Sequence, residues 1–73
     1  MKWDYNTRLY RWEATHGTWR AVVARSSDAS GRYWYPYVDR LHPPHDRRNG
    51  PTSAWAVEGR AWCETTIKQL DHR

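Results

Sequence analysis

TSAWAVEGRAWCETTIKQLDHR, residues 52–73, reads as one long amphipathic helix. At about 100° per residue, Trp55, Ala56, Gly59, Trp62, Cys63, Thr66, Ile67 and Leu70 share an arc of roughly 140°, which makes a single apolar stripe. Val57, Glu58, Arg60, Ala61, Glu64, Thr65, Lys68, Gln69 and Asp71 fill the rest of the circumference, so the opposite side faces water. Gly59 sits near the middle of the stripe, where it costs about 1 kcal/mol of helix propensity relative to Ala. A glycine there predicts a helix axis drawn close to a sheet, between two large tryptophans. Thr52 or Ser53 is the expected N-cap.

Upstream of the helix, residues 42–51, HPPHDRRNGP, contain three prolines and an Asn-Gly pair and are expected to be irregular. Arg32 to Leu41 is rich in aromatic and β-branched residues and reads as a third strand. Pro36 lies inside it and has no N–H to donate, which predicts an edge strand or a bulge. Ser26 to Gly31 is a polar loop. Thr18 to Arg25 alternates most clearly, with Trp19, Ala21 and Val23 on one side and Arg20, Val22 and Ala24 on the other. Thr15 to Gly17 is the expected turn before it, and Arg8 to Ala14 the first strand. The first seven residues carry no pattern, although Trp3 and Tyr5 suggest that they lie on the body of the domain. The fold expected is α+β: a three-stranded antiparallel meander with one C-terminal helix packed on one face, βββα, as a single domain over residues 1–73.

A chain of 73 residues that folds as one small domain buries only about 60% of its unfolded surface. Aliphatic side chains are scarce and Phe is absent, so the six Trp and five Tyr are expected to supply the core. The single Cys63 excludes an intramolecular disulfide and falls on the apolar stripe. It therefore reads as a buried structural thiol in a reducing, cytoplasmic setting. No secretory signal, apolar span or lipidation motif points to a membrane.

The net charge of +4 is unevenly placed. Residues 1–51 hold nine Lys/Arg against five Asp/Glu, whereas residues 52–73 hold three of each, so the excess belongs to the sheet and its loops. Ten of the twelve basic residues are Arg, whose planar fork grips phosphate and stacks on rings. Alternation sends Trp34 and Val38 inward with Tyr10 and Trp12. The other face then carries Arg11, Arg20, Val22, Tyr33, Tyr35 and Tyr37, with no second helix to cover it. A slip of one residue in the third strand would exchange its tyrosines for Trp34 and Arg32.

Guanidinium groups beside aromatic rings suit a nucleic acid, Arg for phosphates and base edges and rings for stacking. Arg11, Arg20, Tyr35 and Tyr37 would form the centre of a DNA- or RNA-binding face, and Arg25, Arg32, Arg40, Arg47 and Arg48 would reach phosphates from the loops. The order of elements, with the strand Trp19-Arg20-Ala21-Val22-Val23, is similar to that of small sheet-first DNA-binding modules. AP2-type plant domains and the N-terminal domains of some tyrosine recombinases are examples, and the likeness implies a sheet laid in the major groove. The alternative is a protein-interaction module, a homodimer or a small inhibitor or adaptor encoded by a mobile element, using the same face or the third strand as an edge.

An enzyme is not expected. His16, His42, His45 and His72 lie in turns or the tail, and neither a Gly-rich phosphate loop nor a nucleophile motif is present. His42, His45 and Asp46 lack the second pair of ligands that zinc requires. No metal, cofactor or small-molecule substrate is therefore expected.

Overall fold

The computed structural model describes residues 1–26 and 33–71. Five strands, β1 (Asp4–Asn6), β2 (Arg11–His16), β3 (Trp19–Arg25), β4 (Trp34–Arg40) and β5 (Arg47–Asn49), precede one helix, α1 (Ala56–Asp71). The strands form one antiparallel sheet in the order β1-β2-β3-β4-β5. The α+β class holds, but the expected three-stranded meander is corrected to a five-stranded one. The two additional strands are three residues long, too short to display a period of two, and they are mostly exposed edges. β5 lies inside HPPHDRRNGP, where the flanking prolines, with a cis Pro43–Pro44 peptide, conceal it.

The hairpins differ from the expected turns for local reasons. His16 pairs with Trp19, leaving Gly17 and Thr18 as a two-residue loop. Gly17 has φ 60°, and glycine at the first central position is what a type II′ turn requires. Between β1 and β2 the turn is held by Asn6, whose Oδ1 accepts from the backbone N–H groups of Arg8 and Leu9, both at 3.0 Å. The strand consequently begins at Arg11 and not at Arg8. Tyr10, at φ 53°, is 63% exposed instead of facing the helix.

Pro36 does not make β4 an edge. β4 lies between β3 and β5, and in an antiparallel ladder bonded and non-bonded pairs alternate. Ser26 N–H donates to Tyr33 O at 2.9 Å and Leu41 N–H to Thr18 O at 2.8 Å. That alternation makes Val23 and Pro36 a non-bonded pair across β3–β4. Pro36 thus turns its nitrogen and carbonyl toward β5, where its oxygen accepts from Gly50 N–H at 2.9 Å. β5 has ended there, so the missing N–H removes nothing from the main ladder. One bulge does occur, on the segment opposite β4: Trp34 exchanges bonds with Ser53 at 2.7 and 2.9 Å, which sets Pro51 and Thr52 against Tyr35 alone.

That pairing takes the backbone of Ser53 and moves the helix start to Ala56. Ser53 is therefore not the N-cap; its hydroxyl donates to Trp55 O at 2.8 Å, and Trp55 O accepts from Glu58 N–H at 3.2 Å to begin the helix. Trp55, placed on the core stripe by the helical wheel, stands before the helix and is 66% exposed.

α1 packs on β3 and β4. Ala14, Trp19, Ala21, Val23 and Val38 meet Cys63 and Ile67, with Trp3, Trp12, Trp34 and Trp62 around them. The fully buried side chains are small or aliphatic, Ile67, Val22, Val23, Val38, Pro36 and Cys63, so most of the tryptophans form a rim and not the centre. Amphipathic ring edges explain this: Trp3 Nε1 donates to Glu64 at 3.2 Å, Arg60 lies 4.4 Å over Trp12, and Arg40 lies 5.5 Å over Trp19. Gly59 gives the close approach expected of it, although its neighbours are Val23 and Pro36 and not tryptophans. Among the described residues no helix is long and apolar enough to cross a membrane.

Candidate binding face

The sheet face opposite α1 is laid out in cross-strand rows. Asp4, Glu13, Val22, Tyr37 and Asn49 form one row; Asn6, Arg11, Ala24 and Tyr35 a second; Thr15, Arg20, Asp39 and Arg47 a third. The expected inward and outward assignment of β3 and β4 is therefore met, and Arg11, Arg20, Tyr35 and Tyr37 share this face. Arg47 joins them from β5. Arg25, Arg40 and Arg48 occupy helix-side positions, opposite Trp34, Trp19 and Val38 respectively, and are separated from the rest. Arg32 lies outside the described residues.

Sequence reasoning passed over the carboxylates on this face. Arg11 Nε donates to Glu13 at 2.6 Å, and Asn6 donates to the other oxygen of Glu13 at 3.2 Å. Arg20 makes a two-pronged contact with Asp39, at 3.1 and 2.7 Å. Arg11, Arg20 and Arg47 thus stand among Asp4, Glu13 and Asp39, with Lys2 beside Asp4 and Glu13, so most of the arginine charge on this face is offset. The same alternation that located the arginines could have located Glu13, two residues from Arg11, and Asp39, two from Tyr37.

These pairings explain the electrostatics and the packing. Burial pushes the Glu13 carboxyl up, but hydrogen bonds from Asn6 and Arg11, with the charges of Arg11 and Arg20, outweigh it and hold the group below its ordinary value. The bonds from Arg20 to Asp39 outweigh desolvation and raise the guanidinium above its ordinary value. Val22 is fully buried, and Ala24 and Tyr37 nearly so, although among the described residues no helix covers this side. Long side chains lie flat here: the Arg47 guanidinium sits 3.7 Å from the centre of the Tyr37 ring.

Tyr35 and Tyr37 stand two residues apart on β4, and the alternation extends to Tyr33, whose carbonyl continues the ladder. Tyr33 and Tyr35 are exposed, whereas Tyr37 lies beneath Arg47. Alternate residues of a strand are about 6.6–6.8 Å apart along the backbone, which sets the repeat of these three tyrosines.

The remaining chemistry is sparse. Cys63 is buried, with its sulfur 3.8 Å from Val22 O and 3.7 Å from Tyr37 O, and burial pushes its thiol up to about 12. A thiol so placed is not a nucleophile at neutral pH. Among the described residues no three His, Cys, Asp or Glu side chains converge as metal ligands would. Compared with known protein families, curated proteins and solved structures, the chain matches none of them.

Proposed function

We propose that this chain is a non-enzymatic nucleic-acid-binding module, working in a reducing cytoplasmic compartment, that receives the polymer on the sheet face opposite α1. The observation that carries the reading is the pair of exposed rings, Tyr35 on β4 and Tyr33 just before it, in line with Tyr37 beneath Arg47 and flanked by Arg11 and Arg20 on the side of β2 and β3. A spacing near 6.6–6.8 Å along a strand suits two bases of an extended single strand, stacking on the exposed rings of Tyr33 and Tyr35 for about 1–3 kcal/mol each, while Tyr37 is already covered by Arg47. Arg47, held over Tyr37, presents donors beside the stack. Because Arg11 and Arg20 already hold carboxylates, stacking supplies most of the affinity and few phosphates are neutralised. Salt dependence is correspondingly shallow, one or two counterions and not the steep loss of a basic groove.

The test is a tryptophan-fluorescence titration with oligodeoxythymidine, its RNA counterpart and a duplex, at low and physiological salt. Saturable binding of a single strand, weakened about fivefold or more by Tyr35→Ala in line with one lost stack, supports the reading. Absence of binding at low salt, or full affinity in Tyr35→Ala, overturns it.

A further inference from the structure

The geometry points to a second binding site, the outer edge of β5 together with the groove between β5 and α1, which takes an acidic, extended peptide as a sixth strand. The site lies at the edge and on the helix side of the sheet and shares only Arg47 with the nucleic-acid face, on whose occupation it does not depend.

The argument begins with backbone direction. Gly50 N–H donates to Pro36 O and Arg40 N–H to Asp46 O, at 2.9 and 3.0 Å. Between these bonded pairs the register runs Asn49 with Tyr37, Arg48 with Val38, and Arg47 with Asp39. Strict alternation makes Arg48 the bonded residue and turns the N–H and C=O groups of Arg47 and Asn49 away from the sheet. All three residues of β5 are exposed, and among the described residues Arg47 and Asn49 make no outward backbone bond. Two donors and two acceptors, two residues apart, are what an added antiparallel strand completes.

Alongside this edge runs an open groove of about 560 Å³. Trp62, Thr66, Gln69 and Leu70 of α1 wall it, and Arg47, Arg48 and Asn49 form its other margin. Side chains alternate along a strand, so a sixth strand would set one series toward Trp62 and Leu70 and the other beside Arg47 and Asn49. No carboxylate lines the groove. Asp46 partly engages Arg48, at 3.4 Å, while Arg47 makes no ion pair among the described residues. The complementary occupant is therefore acidic. A second β5 is disfavoured, because self-pairing would bring Arg47 and Arg48 of two copies together.

The probe is a labelled seven-residue peptide alternating Asp with Val, with a Lys–Val counterpart, each titrated into the full chain while backbone amide resonances are followed. Saturable binding of the acidic peptide, with shifts and exchange protection at Arg47 and Asn49, is expected. Asn49→Pro removes an outward N–H without breaking an internal bond, as Pro36 does within β4, and should weaken binding at least tenfold with the thermal midpoint unchanged. The double reversal Arg47→Glu with Arg48→Glu should exchange the preference to the Lys–Val peptide, a result that does not depend on the proline variant folding. Equal binding of both peptides, insensitivity to both variants, no binding at millimolar peptide, or occupation of the edge by a second copy would overturn the assignment. Oligodeoxythymidine should leave the Arg47 and Asn49 edge amides unprotected, so the two proposed sites succeed or fail separately.

Discussion

Gly59→Ala sets two opposing quantities against each other at the seat of the helix. Helix propensity alone favours Ala by about 0.8–1 kcal/mol. An added Cβ, however, would stand 2.8 Å from Val23 Cγ1, 3.3 Å from Val23 Cγ2 and 3.5 Å from Pro36 Cβ. Carbon atoms pack best at about 3.5–4.0 Å, so the nearer methyl must retreat by roughly 0.7 Å. Val23 is fully buried, β-branched, and flanked across the strands by Trp12 and Pro36, which leaves it little freedom to turn. Overpacking of this kind costs about 1–3 kcal/mol. The balance is a net loss of about 1 kcal/mol, which for a domain of this length lowers the melting midpoint by about 4–8 °C. Urea denaturation followed by tryptophan fluorescence measures it. Combining Gly59→Ala with Val23→Ala should recover about 1 kcal/mol relative to the sum of the single changes, because the truncated side chain makes room. A stabilised Gly59→Ala single variant, following propensity alone, would refute the close seating of α1 on β3 and β4.

Gly50→Ala should also destabilise, by about 1–2 kcal/mol, since its Cβ would lie 2.6–2.8 Å from three ring atoms of Trp62; a shifted Trp emission and a lower melting midpoint check this. Cys63 should resist a disulfide reagent at neutral pH in the folded chain and react fully in denaturant. Its thiol is raised from 9.0 to about 12, so the folded state holds a proton that the unfolded chain releases. That stability is fully present below pH 9 and is lost as pH rises toward 12, which denaturation midpoints across that interval measure. Glu13 has the opposite sign: its carboxyl is held below 4.5, so its contribution is present above that pH and disappears as pH falls through the lowered value. Urea midpoints of the parent chain and of Glu13→Gln should therefore differ at neutral pH and converge in acid, and a constant difference would contradict the Asn6–Glu13–Arg11 linkage.

The amino-acid order by itself determined whatever rests on a period sustained over several residues. Val22 and Val23 point to opposite sides because successive strand residues do, and the tyrosines of β4 share a face with Arg11 and Arg20 for the same reason. Cys63 and Ile67 are buried because they recur at helical spacing, and Gly59 announced a close approach because nothing else favours glycine in a helix interior. Tertiary structure decided what depends on partners distant in the chain. β1 and β5 are three residues each, and only pairing to Glu13, Trp12 and Arg11 on one side and to Tyr37, Val38 and Asp39 on the other makes them strands. Pro36 is admitted to a central strand because its nitrogen faces the place where β5 has ended, a fact of register that local sequence does not contain. Ser53 gives up the N-cap because Trp34 takes its backbone, and the helix starts later in consequence. On the open face, alternation located the arginines and could have located the carboxylates, but their neutralisation depended on which neighbours the register set side by side: Arg20 meets Asp39, nineteen residues away, only once β3 and β4 are paired.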